Sequence, residues 1–151
     1  MTTHDLTALS RLEFPIVEYE VSREKIREYV AAIGDRTPAH SDPAAARALG
    51  YRDVIAPPTF AAVFAMTPVR RALADPDWPK PSAISLTRIL HGEQRFEFRR
   101  PIMPGDHLLI QCIVDDVHEK NGLVFLVVAT RVDSRSGEPI LEGRSTLVLR
   151  P

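Results

Sequence analysis

An aspartate and a histidine five residues apart, Asp35 and His40, stand in the run Gly34-Asp35-Arg36-Thr37-Pro38-Ala39-His40, a short loop stiffened by proline. A carboxylate and an imidazole so spaced could share one water molecule or one substrate hydroxyl and move a proton to or from it. Few other pairs in the chain could do so. There is no G-x-S-x-G elbow, no G-x-x-x-x-G-K-[ST] loop, no G-x-G-x-x-G and no H-E-x-x-H. The single cysteine, Cys112, allows neither a thiolate zinc site nor an intrachain disulfide. It lies in an apolar alternating run and reads as a buried core thiol, compatible with a reducing compartment. His91-Gly92-Glu93 has the H-x-E half of a zinc deaminase without the P-C-x-x-C partner. Nothing calls for a metal or another cofactor. Asp115 and His118, three apart on an expected strand, would face opposite sides and read as solvated polar residues. On spacing alone Asp35 can equally be a turn residue after a helix, and His40 an exposed loop side chain.

The elements that must hold this loop are legible from period and punctuation. Ser22 can cap a helix whose apolar residues Ile26, Tyr29, Val30 and Ile33 follow the i, i+3, i+4, i+7 pattern, and Gly34 suits its C-terminal stop. Asp42-Pro43 reads as an N-cap followed by proline in the first turn, with Ala44 to Leu49 a short helix closed by Gly50. The segment from Asp35 to Ser41 is thus anchored at both ends. After Pro57-Pro58, residues Thr59 to Met66 are apolar on every side, which predicts a helix wrapped by protein, with Pro68 kinking or ending it. It is too short to span a bilayer, where about 20 apolar residues are required.

Beyond Asp75-Pro76-Asp77-Trp78-Pro79-Lys80-Pro81, a rigid loop that could be a lid but reads first as a structural crossover, the period changes to two. Ile84 to Phe98, Leu108 to His118, Leu123 to Val132 and Ile140 to Leu149 are expected strands, turning at Pro104-Gly105-Asp106, at Asn121-Gly122 and at Ser136-Gly137-Glu138. With a further strand near Ile16 to Val21 they predict an antiparallel sheet curled around one apolar helix, an α+β architecture.

With 151 residues, 44% hydrophobic and 26% charged, the chain suits one globular domain spanning residues 1–151 that buries roughly 70% of its unfolded surface. A formal net charge of -1 provides no field to hold a polyanion, so nucleic acid is not an expected partner. Met1 to Arg11 has no apolar signal core, and a cytoplasmic location is the expectation, with no membrane partner.

The run Ile33 to His40 followed by Ala44-Ala45-Ala46 resembles the G-D-x-N-P-x-H signature of the MaoC-like, (R)-specific enoyl-CoA hydratase 2 family. Val54-Ile55-Ala56, and Phe96 to Pro101 with Pro104-Gly105-Asp106, fall where that family has a pocket-edge helix start and a strand turn. Arg23 to Tyr29, Ala56-Pro57-Pro58-Thr59-Phe60 and His91 to Phe96 look like its FAS1-like dehydratase, or MaoC N-terminal, branch. The resemblance covers nearly the whole chain. It implies a hot-dog fold and a dimer, formed with itself or with a second hot-dog chain. The implied substrate is a 3-hydroxyacyl or 2-enoyl thioester of coenzyme A or acyl carrier protein. Asp35 and His40 would be its coupled acid-base pair.

Two departures bear on that transfer. Thr37 stands where the signature has Asn, keeping a hydroxyl but losing the amide's paired donor and acceptor. Pro57-Pro58 falls on the family's His-Gly pair, whose glycine N–H faces the thioester oxygen; proline has no N–H. Thr59 would then supply that donor, or a partner chain would. Phe60 could floor the acyl pocket or be core, and His91 could line the channel or be structural. Two functions are therefore carried forward: an (R)-specific dehydratase or hydratase, and a non-catalytic acyl-binding subunit of a heterodimeric dehydratase. A hot-dog thioesterase is disfavoured because no carboxylate lies between Thr59 and Met66.

Overall fold

Residue types suited to starting and stopping helices put the Asp35 region in place. In the computed structural model, which describes residues 7–10, 12–78 and 88–149, strand β1 (Val17–Glu20) leads into helix α1 (Arg23–Ile33). Ser22 Oγ accepts the Lys25 N–H at 3.1 Å, satisfying one of the first-turn donors that have no partner within a helix. At the other end Gly34 takes φ 65°, a left-handed conformation open to glycine. The Gly34 N–H then reaches Ala31 O at 3.2 Å and the Asp35 N–H reaches Val30 O at 3.0 Å, the double closure of a Schellman stop. The backbone of Asp35 is thereby part of the helix terminus.

Two short helices follow, α2 (Pro38–Ser41) and α3 (Pro43–Ala48). The first corrects the expectation of an open loop up to Ser41. Pro38, with φ preset for the first helical turn, starts one turn of helix that includes His40. The expected cap at Asp42 is present: its carboxylate accepts the Ala44 N–H at 2.8 Å.

The apolar segment is divided rather than one continuous helix. Residues Pro58–Val63 form a 3₁₀ helix, and α4 (Thr67–Ala74) begins anew with Pro68 in its first turn. Proline is accommodated there but not in a helix interior, so Pro68 starts an element instead of kinking one. Phe60 and Phe64 are fully buried. Phe60 meets the ring of Tyr29 edge-on at 5.4 Å, joining the helix that ends at Asp35 to the segment that carries Thr59. Burial of each phenylalanine contributes about 1.5–3 kcal/mol.

Strands β2 (Ile89–Phe98), β3 (His107–Lys120), β4 (Leu123–Ser134) and β5 (Pro139–Leu149) complete an antiparallel sheet of order β1-β3-β4-β5-β2. Residues 84–87, the expected start of β2, lie outside the described residues, as do 79–81 of the crossover. The β3–β4 hairpin turns at Asn121 (φ 54°) and Gly122 (φ 74°), both positive as a type I′ turn requires. Alternation sends Ile110, Cys112 and Val114 of β3, and Leu126, Val128 and Val132 of β4, into one buried cluster with Ile26, Phe60 and Phe64. Helices packed on one face of a five-stranded antiparallel sheet make this an α+β hot-dog fold. Among the described residues no helix is long and apolar enough to cross a membrane.

Candidate active site

Asp35 and His40 meet in the structure. His40 Nδ1 lies 2.7 Å from Asp35 Oδ2, and the two side chains are only 11% and 16% exposed. The other carboxylate oxygen, Oδ1, accepts the Thr37 N–H at 2.8 Å, an Asx turn that orients the carboxylate across the next residues. The Thr37 N–H, then the Thr37 hydroxyl, then the His40 ring hold the Asp35 carboxyl down at about 2, below its ordinary 3.8. At neutral pH Asp35 is therefore a carboxylate and can only accept. The proton in the short bond must sit on His40 Nδ1, which leaves Nε2 as the ring nitrogen free to exchange a proton.

Thr37, expected to contribute through its hydroxyl, thus contributes first through its backbone. No residue-type signal marks a backbone N–H; only an Asp or Asn two residues ahead of it does. Thr37 is exposed and takes φ -64° with Pro38 following it.

Thr59 and Phe60 belong to the next segment, which runs close behind the pair. The Ile55 N–H donates to Ala39 O at 3.1 Å, next to His40, and the Ala56 N–H donates to Ile102 O at 2.8 Å. Pro57 and Pro58 bring no N–H to the start of the 3₁₀ helix, and the Phe60 N–H is turned back onto Pro57 O at 2.8 Å. The Thr59 N–H is the remaining donor of that turn, and Thr59 is exposed. Phe60, in contrast, has no surface in this chain and is packed in the core. His91 is on another element, the edge strand β2, exposed and opposite Leu147 beside a bulge between His91 and Glu93. Among the described residues no hydrogen bond links Thr59 or His91 to Asp35 or His40.

Three arginines in and just after β2 are engaged in ion pairs. Arg95 pairs with Glu97 at 2.6 Å, Arg99 with Glu142 at 3.1 Å, and Arg100 with both Asp106 at 2.8 Å and Glu138 at 3.0 Å. Among the described residues, no group of three or more histidine, cysteine, aspartate or glutamate side chains could hold a metal ion.

The sequence pattern of the FAS1-like dehydratase domain region matches residues 12–143. A UPF0336 protein of Saccharopolyspora erythraea is 43% identical over 146 residues, which are 97% of this chain and 91% of that protein. The C-terminally truncated HadBC complex of Mycobacterium tuberculosis, a 3R-hydroxyacyl-ACP dehydratase, superimposes with a TM-score of 0.79 at 27% identity over 93% of this chain and 96% of the matched chain. A MaoC-like dehydratase superimposes with a TM-score of 0.80 at 30% identity; the match covers 96% of this chain and 43% of the larger one. Sequence pattern and fold agree, and they place the chain in the FAS1-like dehydratase branch of the MaoC-like hot-dog hydratases and dehydratases.

Proposed function

We propose that the chain is an (R)-specific 3-hydroxyacyl-thioester dehydratase, equally a 2-enoyl-thioester hydratase. Its substrate is the thioester of coenzyme A or acyl carrier protein, and Asp35 with His40 is its acid-base pair. The observation that carries this is the part-buried 2.7 Å Asp35 to His40 bond in a chain of dehydratase ancestry. In dehydration the C2–H and C3–O bonds break, the C2=C3 double bond forms, and the hydroxyl leaves as water after gaining a proton. His40 Nε2 and the remaining lone pairs of the Asp35 carboxylate face one hydroxyl or water and handle both protons as a coupled unit. Negative charge grows meanwhile on the thioester oxygen. Its donor in this chain is the Thr59 N–H, with the Thr59 hydroxyl beside it. Phe60, packed in the core, backs the segment that carries Thr59 without touching the acyl group, and His91 lines the far end of the acyl channel. One domain, residues 1–151, carries all of these groups.

Pro57 and Pro58 favour a second reading, a subunit that binds acyl chains and relies on a partner for the oxyanion donor. Loss of one such donor costs about 10²–10³-fold in rate. HadBC, similar in sequence and fold, is a complex of two chains. The first reading is tested by mixing the purified chain with crotonyl-CoA and longer 2-enoyl-CoA esters and following loss of enoyl absorbance. Turnover by the chain alone, abolished by Asp35→Asn, supports a self-sufficient enzyme. Turnover only after a second hot-dog chain is added overturns it in favour of the subunit.

A further inference from the structure

Asp106 is the most heavily engaged buried acid in the described structure, and the chemistry at Asp35 and His40 does not use it. Its side chain is 5% exposed. Arg100 grips it with a two-pronged bond, Nη1 to Oδ2 at 2.8 Å and Nη2 to Oδ1 at 3.1 Å. Arg52 Nη2 also donates to Oδ1 at 3.3 Å, and the Met103 N–H donates to Oδ2 at 2.9 Å. Arg100 Nη1 also caps Pro101 O at 3.0 Å. The turn from Pro101 to Gly105, which reverses with Gly105 at φ 85°, is therefore closed around one carboxylate.

That turn touches the candidate site at one place. Ile102 O, flanked by the two backbone groups that the cluster holds, accepts the Ala56 N–H at 2.8 Å. The preceding residue, Ile55, donates to Ala39 O at 3.1 Å, and Ala39 adjoins His40. On the other side of Ala56 come Pro57, Pro58 and Thr59. The backbone at 55–56 thus links, by hydrogen bond and by chain, the residue next to His40 to the segment that carries the proposed oxyanion donor, and three tethers meet on its neighbourhood: Arg52 to Asp106, Ile55 to Ala39, and Ala56 to Ile102.

We infer that Asp106, through Arg100, Arg52 and the Met103 N–H, is a positioning residue that sets the separation between His40 and the Thr59 N–H. This rests on the function proposed above. A displacement of about 1 Å in a group remote from the chemistry costs about 100-fold in rate, so a carboxylate that touches no substrate can still govern turnover. The Asp106→Asn side chain can still accept the Met103 N–H, but it turns an amide N–H₂ against the guanidinium groups and opens the fork.

The test compares the wild-type chain with Asp106→Asn by amide hydrogen exchange and by steady-state hydration of crotonyl-CoA. If Asp106→Asn does not fold, Arg100→Lys, which keeps a cation but removes the fork, takes its place. The expected result is local: exchange at Ile55 and Ala56 accelerates about tenfold or more while sheet amides such as Val128 and Val132 stay within about twofold. Turnover falls about tenfold to 100-fold with KM within about twofold. Unchanged protection at Ile55 and Ala56, or loss shared equally by the sheet, overturns the inference, as does local loosening with unaltered kcat. A wild-type chain without hydration activity defeats the proposed function instead, and the exchange pattern still decides whether Asp106 holds the 55–56 backbone.

Discussion

The described structure contains two aspartate-histidine pairs of nearly equal geometry and very different surroundings. Asp35 and His40 meet at 2.7 Å with side chains 16% and 11% exposed; Asp116 and His118 meet at 2.8 Å with 54% and 49% exposed. The second pair arises because residues two apart on β3 share a sheet face. Its imidazole stacks flat on Phe125 at 5.2 Å, an ordinary cross-strand contact. Among the described residues no third group orients its carboxylate, whereas Asp35 is held by the Thr37 N–H and by the end of α1. A short carboxylate-imidazole distance is therefore common chemistry. Shelter from water and a carboxylate fixed by backbone donors are what distinguish a site.

The contrast can be broken or sharpened in several ways. The largest effect is expected at the sheltered ring: His40→Ala lowers kcat/KM for 2-enoyl-CoA hydration about 10²–10⁴-fold, read by enoyl absorbance. Next come the glycines that seat each pair. Gly34→Ala and Gly122→Ala each force alanine into a left-handed conformation with no atom within 4 Å of the added carbon, so both cost about 1–2 kcal/mol in urea unfolding. Only Gly34→Ala should also reduce turnover, because only Gly34 ends the helix at Asp35.

Thr37→Pro fits the backbone, φ -64°, yet removes both the N–H and the hydroxyl that most strongly hold the Asp35 carboxyl down. The carboxyl should titrate closer to its ordinary 3.8, followed by carbon NMR of the labelled side chain. A value unchanged from about 2 would show that the Asx turn is not what sets it.

Stability at low pH provides a subtler comparison. Asp35's folded value, about 2, lies below 3.8, so the unfolded chain binds its proton more readily. The stability it contributes is present above about 3.8 and is lost as pH falls through about 2. Wild type should therefore lose stability more steeply than Asp35→Asn between those values in acid-urea titrations. The smallest effect is at the exposed pair: His118→Ala should change hydration rate less than twofold.

Much of the frame around Asp35 was readable because its signals are local. Ser22, Gly34, Asp42 and Asn121-Gly122 act on backbone within a few residues, and the structure uses each as expected. The helical turn at Pro38–Ser41 was missed because one turn is too short to show a period. The 3₁₀ geometry after Pro57 was missed because a segment apolar on all sides has no stripe to fix a phase, and two prolines left its first turn short of donors. The clamp on Asp106 joins Arg52 to a carboxylate 54 residues away, a separation at which sequence spacing carries no geometry.

The most direct measurement is a side-by-side hydration assay of Asp35→Asn and Asp116→Asn against wild type, with one 2-enoyl-CoA ester and the same chain composition in each reaction. The account predicts a loss of about 10²-fold or more for Asp35→Asn and a rate within about twofold of wild type for Asp116→Asn. Equal rates for the two variants, whether both retained or both lost, would contradict it.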